Sequence, residues 1–140
     1  MLRVDPAAIR RLALRHQRLA GPAPNGKDTA QDLLDTAPKG RSDLIKKERL
    51  QAWEKKHRRL GPGDVVLFHS GWSDQYYKPL PEGRRFAADP VAGKSPAWPG
   101  PDPDCMEFLA SRKVMTLGID STSLGPLPDL AEPTHYAGLK

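Results

Sequence analysis

Two short apolar runs constrain this chain more than any other feature: Asp64-Val65-Val66-Leu67-Phe68-His69 and, further along, Val114-Met115-Thr116-Leu117-Gly118-Ile119-Asp120. In the first, both alternating faces are apolar, the pattern of a strand buried inside a sheet. Gly61-Pro62-Gly63 breaks the chain just before it. Between the runs, Asp102-Pro103 supplies an N-cap and a first-turn proline. Asp104 to Arg112 then completes a helix that buries Cys105, Phe108 and Leu109, with Lys113 at its basic end. Strand, helix, strand in that order predicts an α/β fold.

The other segments are arranged around this unit. Leu50, Trp53 and His57 fall at i, i+3 and i+7 among Lys, Arg and Glu, which predicts a helix from about Ile45 to Arg58 with a solvated polar face. Residues 73–101 hold Gln75-Tyr76-Tyr77, Arg84-Arg85-Phe86, Trp98 and six prolines. They show no sustained period, so a long aromatic loop is expected there, of the kind that carries binding groups. At the start, Asp5 to Leu19 reads as a basic amphipathic helix behind an Asp5 cap, followed by a Pro- and Gly-rich linker. In the tail, Gly125 to Leu130 turns again before Glu132-Pro133-Thr134-His135-Tyr136. The chain divides accordingly into residues 1–42, a basic helix and linker, and residues 43–140, a domain.

Composition narrows the classes. Fifteen prolines and twelve glycines in 140 residues argue against a purely helical bundle. No apolar run approaches the roughly 18 residues that span a bilayer, and the first residues lack a signal-peptide core. A soluble, cytoplasmic protein without a membrane partner is expected. The single cysteine, Cys105, excludes an internal disulfide and a zinc site built from several thiolates. Beside Met106 and Phe108 it is more readily a small buried hydrophobe than a nucleophile. The charge of +5 is uneven: residues 1–60 carry 15 Lys+Arg against 7 Asp+Glu, and residues 61–140 carry 7 against 10. Any phosphate-binding function therefore rests on the first part. The run KKERLQAWEKKHRR has one interleaved aromatic, Trp53, and looks more like a solvated helix face than a nucleic-acid platform.

Chemical motifs are sparse. Histidines 16, 57, 69 and 135 show no spacing that puts two imidazoles on one metal. Ser70 lies in HSGW without a G-x-S-x-G elbow, which argues against a serine hydrolase, and neither a Walker A loop nor G-x-G-x-x-G occurs. Two readings of Asp120 and His135 stay open. They meet in space as ligands or acid/base groups, or Asp120 caps a turn while His135 packs at the surface.

Three blocks, LQAWEKKHRRLGPGDVVLFHSGW, ASRKVMTLGIDSTSLGPLP and AEPTHYAGL, together resemble the cyclase family of metal-dependent hydrolases, which includes bacterial kynurenine formamidases. The match runs over roughly residues 43–140 and includes the order Pro62-Gly63-Asp64, Gly71-Trp72, Trp98-Pro99-Gly100-Pro101 and Gly118-Ile119-Asp120-Ser121. The resemblance implies part of a swivelling β/β/α domain and an arylformamidase-like activity on a small-molecule amide substrate such as N-formylkynurenine, a step of tryptophan catabolism. It also implies a zinc or manganese ion, and a homo-oligomer in the complete protein. By the same resemblance His135 matches a metal ligand and Asp120 a supporting aspartate, while Trp72, Tyr76 and Tyr77 line the substrate side by position. The sequence departs from the family at both ends. Residues 1–42 lack the H-x-G-T-H-x-D-x-P type segment, and the glutamate expected shortly after His135 is not reached. The expectation is a truncated, catalytically inactive chain. The competing readings are a small basic nucleic-acid-binding module, with nucleic acid the less favoured partner, and a noncatalytic subunit of a complete family member.

Overall fold

A computed structural model describes residues 37–139. The helix expected over Asp5 to Leu19, most of the following linker, and His16 lie outside the described residues. The described part is mixed α/β. Its elements are β1 (Ser42–Ile45), α1 (Lys47–Lys56), β2 (Val65–Phe68), α2 (Trp72–Tyr76), a 3-10 turn (Glu82–Phe86), α3 (Ala88–Val91), β3 (Ala97–Pro101), α4 (Pro103–Ser111), β4 (Thr116–Ile119) and α5 (Ala131–Gly138). The strands form two parallel pairs, β1 with β3 and β2 with β4. In the second pair Val65, Val66, Leu67 and Phe68 face Thr116, Leu117, Gly118 and Ile119.

The two apolar runs are strands, as their pattern predicts, but β2 is not enclosed on both sides. Among the described residues it pairs only with β4, and Leu67 stays 39% exposed. That side chain lies over Gly118, where an added Cβ would come within 2.6 Å of Leu67 Cδ2. The inner face delivers Val66 and Phe68 to a core shared with Ile45, Leu50, Leu60, Cys105, Met106, Leu109 and Ala137.

Helix α1 follows its composition. Good helix formers fill it, Glu48 sits in the first turn and Lys55 and Lys56 in the last, each complementing the helix dipole. It begins after Ile45 rather than at it, because Ile45 closes β1 and is buried there. Helix α4 carries its expected cap: the Asp102 carboxylate accepts from Cys105 N at 2.8 Å, with Pro103 in the first turn. Its buried residues are Cys105, Met106 and Leu109, whereas Phe108 is half-buried.

Cys105 has no solvent exposure, and burial pushes its thiol up to about 12. The thiol is therefore protonated at neutral pH and inert as a nucleophile. A thiol reagent at pH 7.5 should label the folded chain at least about tenfold more slowly than the chain in denaturant, in proportion to its lost thiolate and access. Equal rates would contradict this packing.

Glu54 and Arg112 join α1 to the end of α4 in a two-pronged pair, Nε to Oε1 at 2.9 Å and the second guanidinium nitrogen to Oε2 at 3.0 Å. Leu60 N donates to the same carboxylate at 2.9 Å. The Arg112 hydrogen bond, against the opposing effect of burial, holds Glu54 below its ordinary value. A carboxylate with a lowered folded pKa contributes stability above its unfolded pKa, and that contribution is lost as pH falls through the folded value. Urea midpoints should thus drop between about pH 5 and pH 3, and less steeply in Glu54→Gln; matching slopes would refute the assignment.

Residues 73–101 differ from the long loop expected of them. They hold all of α2 but its first residue, the 3-10 turn, α3 and the fully buried strand β3. Each helical piece spans five residues or fewer, shorter than the period a sequence pattern needs. Strand β3 reads Ala-Trp-Pro-Gly-Pro and bonds to the β1 side through donors placed around its prolines, Ala97 N to Arg41 O at 2.8 Å and Asp102 N to Ile45 O at 3.3 Å. Gly100 allows close packing, since a Cβ there would lie 2.8 Å from Leu124 O. The expected turn leads through Leu127 to Leu130 into α5, a helix that the sequence pattern does not mark. Its Pro133 sits in the first turn, where a proline costs no helical hydrogen bond.

Candidate functional site

Strands β2 and β4 run parallel and end together at Phe68 and Ile119. The segments that follow, His69-Ser70-Gly71 and Asp120 to Ser123, make up the carboxyl edge of the pair, the position where open parallel sheets bind ligands. Asp120 ties the two segments together. Its Oδ1 accepts from Ser70 N at 2.9 Å and from Ser70 Oγ at 2.8 Å, and its Oδ2 accepts from Gly71 N at 2.6 Å. Gly71 has φ +80°, a left-handed turn that carries the chain from β2 into α2 and that a side chain would strain. The Asp120 carbonyl also accepts from Ser73 N at 3.1 Å and from Ser73 Oγ.

His69 stands beside this clamp, its Nε2 3.5 Å from Asp74 Oδ2 and 4.0 Å from Asp120 Oδ2. Its side chain is half exposed, so the imidazole faces both solvent and two carboxylates. The spacing of the histidines did not single out His69; its place at a strand end was the available signal. His135 comes from α5, a helix anchored by the fully buried Thr134, whose Oγ1 donates to Pro101 O at 3.0 Å. The His135 Nε2 lies 3.4 Å from Ser123 Oγ, which accepts from Gly125 N at 3.2 Å.

The structure therefore gives Asp120 and His135 separate neighbours: the β2 turn for the first and Ser123 for the second. Trp72 is fully buried against Trp98 and Tyr76 and does not reach the surface. Its Nε1 donates to Phe86 O at 3.0 Å, and Arg85 stacks over both the Trp72 and Tyr76 rings. Tyr76 is half-buried in this cluster, while Tyr77 is 78% exposed. Thr122 Oγ1, from the β4 edge, also donates to Phe86 O at 2.7 Å.

A hydrolytic zinc or manganese does not fit the described donors by themselves. Among the described residues no group of three or more His, Cys, Asp or Glu is arranged to hold a metal. Asp120 already receives three hydrogen bonds, and a catalytic zinc takes three protein ligands. No described helix is long and apolar enough to cross a membrane.

Over residues 28–126 the sequence matches the cyclase family, and the chain belongs to it. It is similar to isatin hydrolase of Roseibium aggregatum, with 28% identity over 90 residues, 62% of this chain and 32% of that protein. The chain thus spans about a third of the length of this curated relative. No solved structure matches it.

Proposed function

We propose that the chain is part of a cyclase-family hydrolase of amide bonds, arylformamidase-like in its chemistry, whose whole fold is the swivelling β/β/α domain. The observation that carries this reading is the family match over residues 28–126. The isatin hydrolase relative supports it, isatin being an aromatic cyclic amide. Zinc or manganese belongs to the whole protein in this reading, with His135 as one ligand and the others from outside residues 37–139. No metal step is assigned to the described residues, since their donors do not form a site.

The role of this chain's own residues is positional. Asp120 fixes the His69 to Gly71 turn against the β4 end, and Trp72 seats the segment behind that turn. The test is a chimaera of isatin hydrolase in which residues 28–126 of this chain replace the matching stretch. Hydrolysis of isatin or of N-formylkynurenine well above the metal-only background is the expected result. A folded, metal-loaded chimaera that opens neither amide would overturn the assignment.

A further inference from the structure

We infer that helix α1 and its C-cap carry a docking stripe for single-stranded nucleic acid, in which Lys46, Arg49 and Lys56 meet phosphates and the His57 ring stacks on a base. The sequence interleaves Glu48 and Glu54 with these cations, as a solvated helix face does. The fold separates the two signs. Glu54 is drawn off the stripe, its carboxylate held by Arg112 and by Leu60 N. The acids of neighbouring segments are engaged too: Asp104 with Lys47 at 2.9 Å, and Asp64 with the Arg58 fork, at 2.7 Å on each oxygen. Lys46, Arg49 and Lys56 are exposed and enter no ion pair among the described residues. At 3.6 residues per turn Lys46, Arg49, Trp53 and Lys56 fall within one stripe about 80° wide, and Glu48 lies about 80° beyond its edge. Arg49 and Lys56 stand about 10 Å apart along the axis. Between them Trp53 packs on the core, and the exposed His57 ring lies against it, with centroids 4.9 Å apart and planes at 35°. A braced, exposed imidazole among cations suits an unpaired base whose backbone the cations track. An acidic peptide brings the charge but no base to stack. A membrane surface calls for a free apolar helix face, and that of α1 is occupied by the core through Leu50 and Trp53.

The test is fluorescence anisotropy of the full chain with a labelled oligouridylate of about 12 nucleotides and with labelled poly-glutamate of similar charge. The oligonucleotide should bind more tightly than poly-glutamate. Its binding should weaken about 20-fold between about 50 and about 200 mM salt, the fall for three phosphate contacts on a single strand. The double variant Arg49→Gln/Lys56→Gln should bind at least about tenfold more weakly at the lower salt, and its fall should shrink to about 3-fold. His57→Ala should weaken the oligonucleotide about 5-fold or more, the loss of one stacked base, and leave poly-glutamate unchanged. Lys78→Gln/Lys94→Gln removes the same charge from exposed positions elsewhere and should stay within about twofold of the parent. All five side chains are exposed, so circular dichroism should show the parent's fold throughout. Absence of oligonucleotide binding at the lower salt, equal losses for the two double variants, or a His57→Ala chain that binds as the parent does would overturn the inference. Poly-glutamate bound as tightly as the oligonucleotide would overturn it too, in favour of an acidic protein partner.

Discussion

Trp72→Ala will lower the folding free energy by about 3 to 5 kcal/mol, the cost of deleting a fully buried large aromatic side chain. For a chain of this size that is a large fraction of the total. The magnitude follows from what the ring touches. Trp72 has no solvent exposure, stacks with Tyr76 at a 4.5 Å centroid distance, meets Trp98 edge-on at 6.4 Å, and lies under the Arg85 guanidinium. Its Nε1 is one of two donors to the Phe86 carbonyl, so alanine also weakens the hold on the 3-10 turn. Trp72→Phe keeps much of the volume and loses the donor, and should fall between the parent and Trp72→Ala. Urea unfolding followed by circular dichroism measures both. A loss under about 1 kcal/mol, typical of a surface substitution, would mean that the second core cluster is not packed as described.

Asp120→Ala carries the second largest effect, about 2 to 4 kcal/mol, because hydrogen bonds to a charged acceptor are individually strong and water recovers only part of them. Three such bonds disappear at once, and the donors Ser70 N and Gly71 N lose their partner. Asp120→Asn is a sharper probe. Its amide NH2 faces one of the donors that the carboxylate satisfies, so it should lose most of the same stability despite its similar size. Hydrogen exchange locates the effect: Ser70 and Gly71 amides should lose protection more than amides of α4. Uniform loss across the chain, or none, would show that Asp120 is not the fastening between the strand ends.

What could be read from the sequence was what repeats long enough to show a period. Strands β2 and β4, the Asp102 cap and most of α1 follow from apolar alternation, cap chemistry and helix spacing, and the cyclase family was recognisable from the order of short motifs. Strand β1 was missed because only Leu44 and Ile45 mark it as apolar. Strand β3 was missed because Pro99 and Pro101 argue against a ladder, and only the register around them makes one. The short helices of residues 72–91 complete too few turns for any amphipathic stripe. Helix α5 was hidden by Pro133, which reads as a breaker until its first-turn position is known. The candidate site followed the same logic. Asp120 at a strand end was recognisable, but its partners Ser70 and Gly71 lie some fifty residues away in sequence, and no local spacing encodes that meeting. The family resemblance puts Trp72 on the substrate side by position, whereas its apolar bulk suits the buried core position it occupies.

The central claim is that this chain has a cyclase-family frame whose described donors do not by themselves hold a hydrolytic metal. It is tested most directly by dialysing the purified full chain against zinc and then manganese and measuring bound metal per chain. Well under about 0.1 equivalent is expected from the described donors, since they form no group of three and a catalytic zinc takes three protein ligands. One equivalent of metal that His69→Ala, Asp74→Ala and Asp120→Ala each remove would contradict the claim.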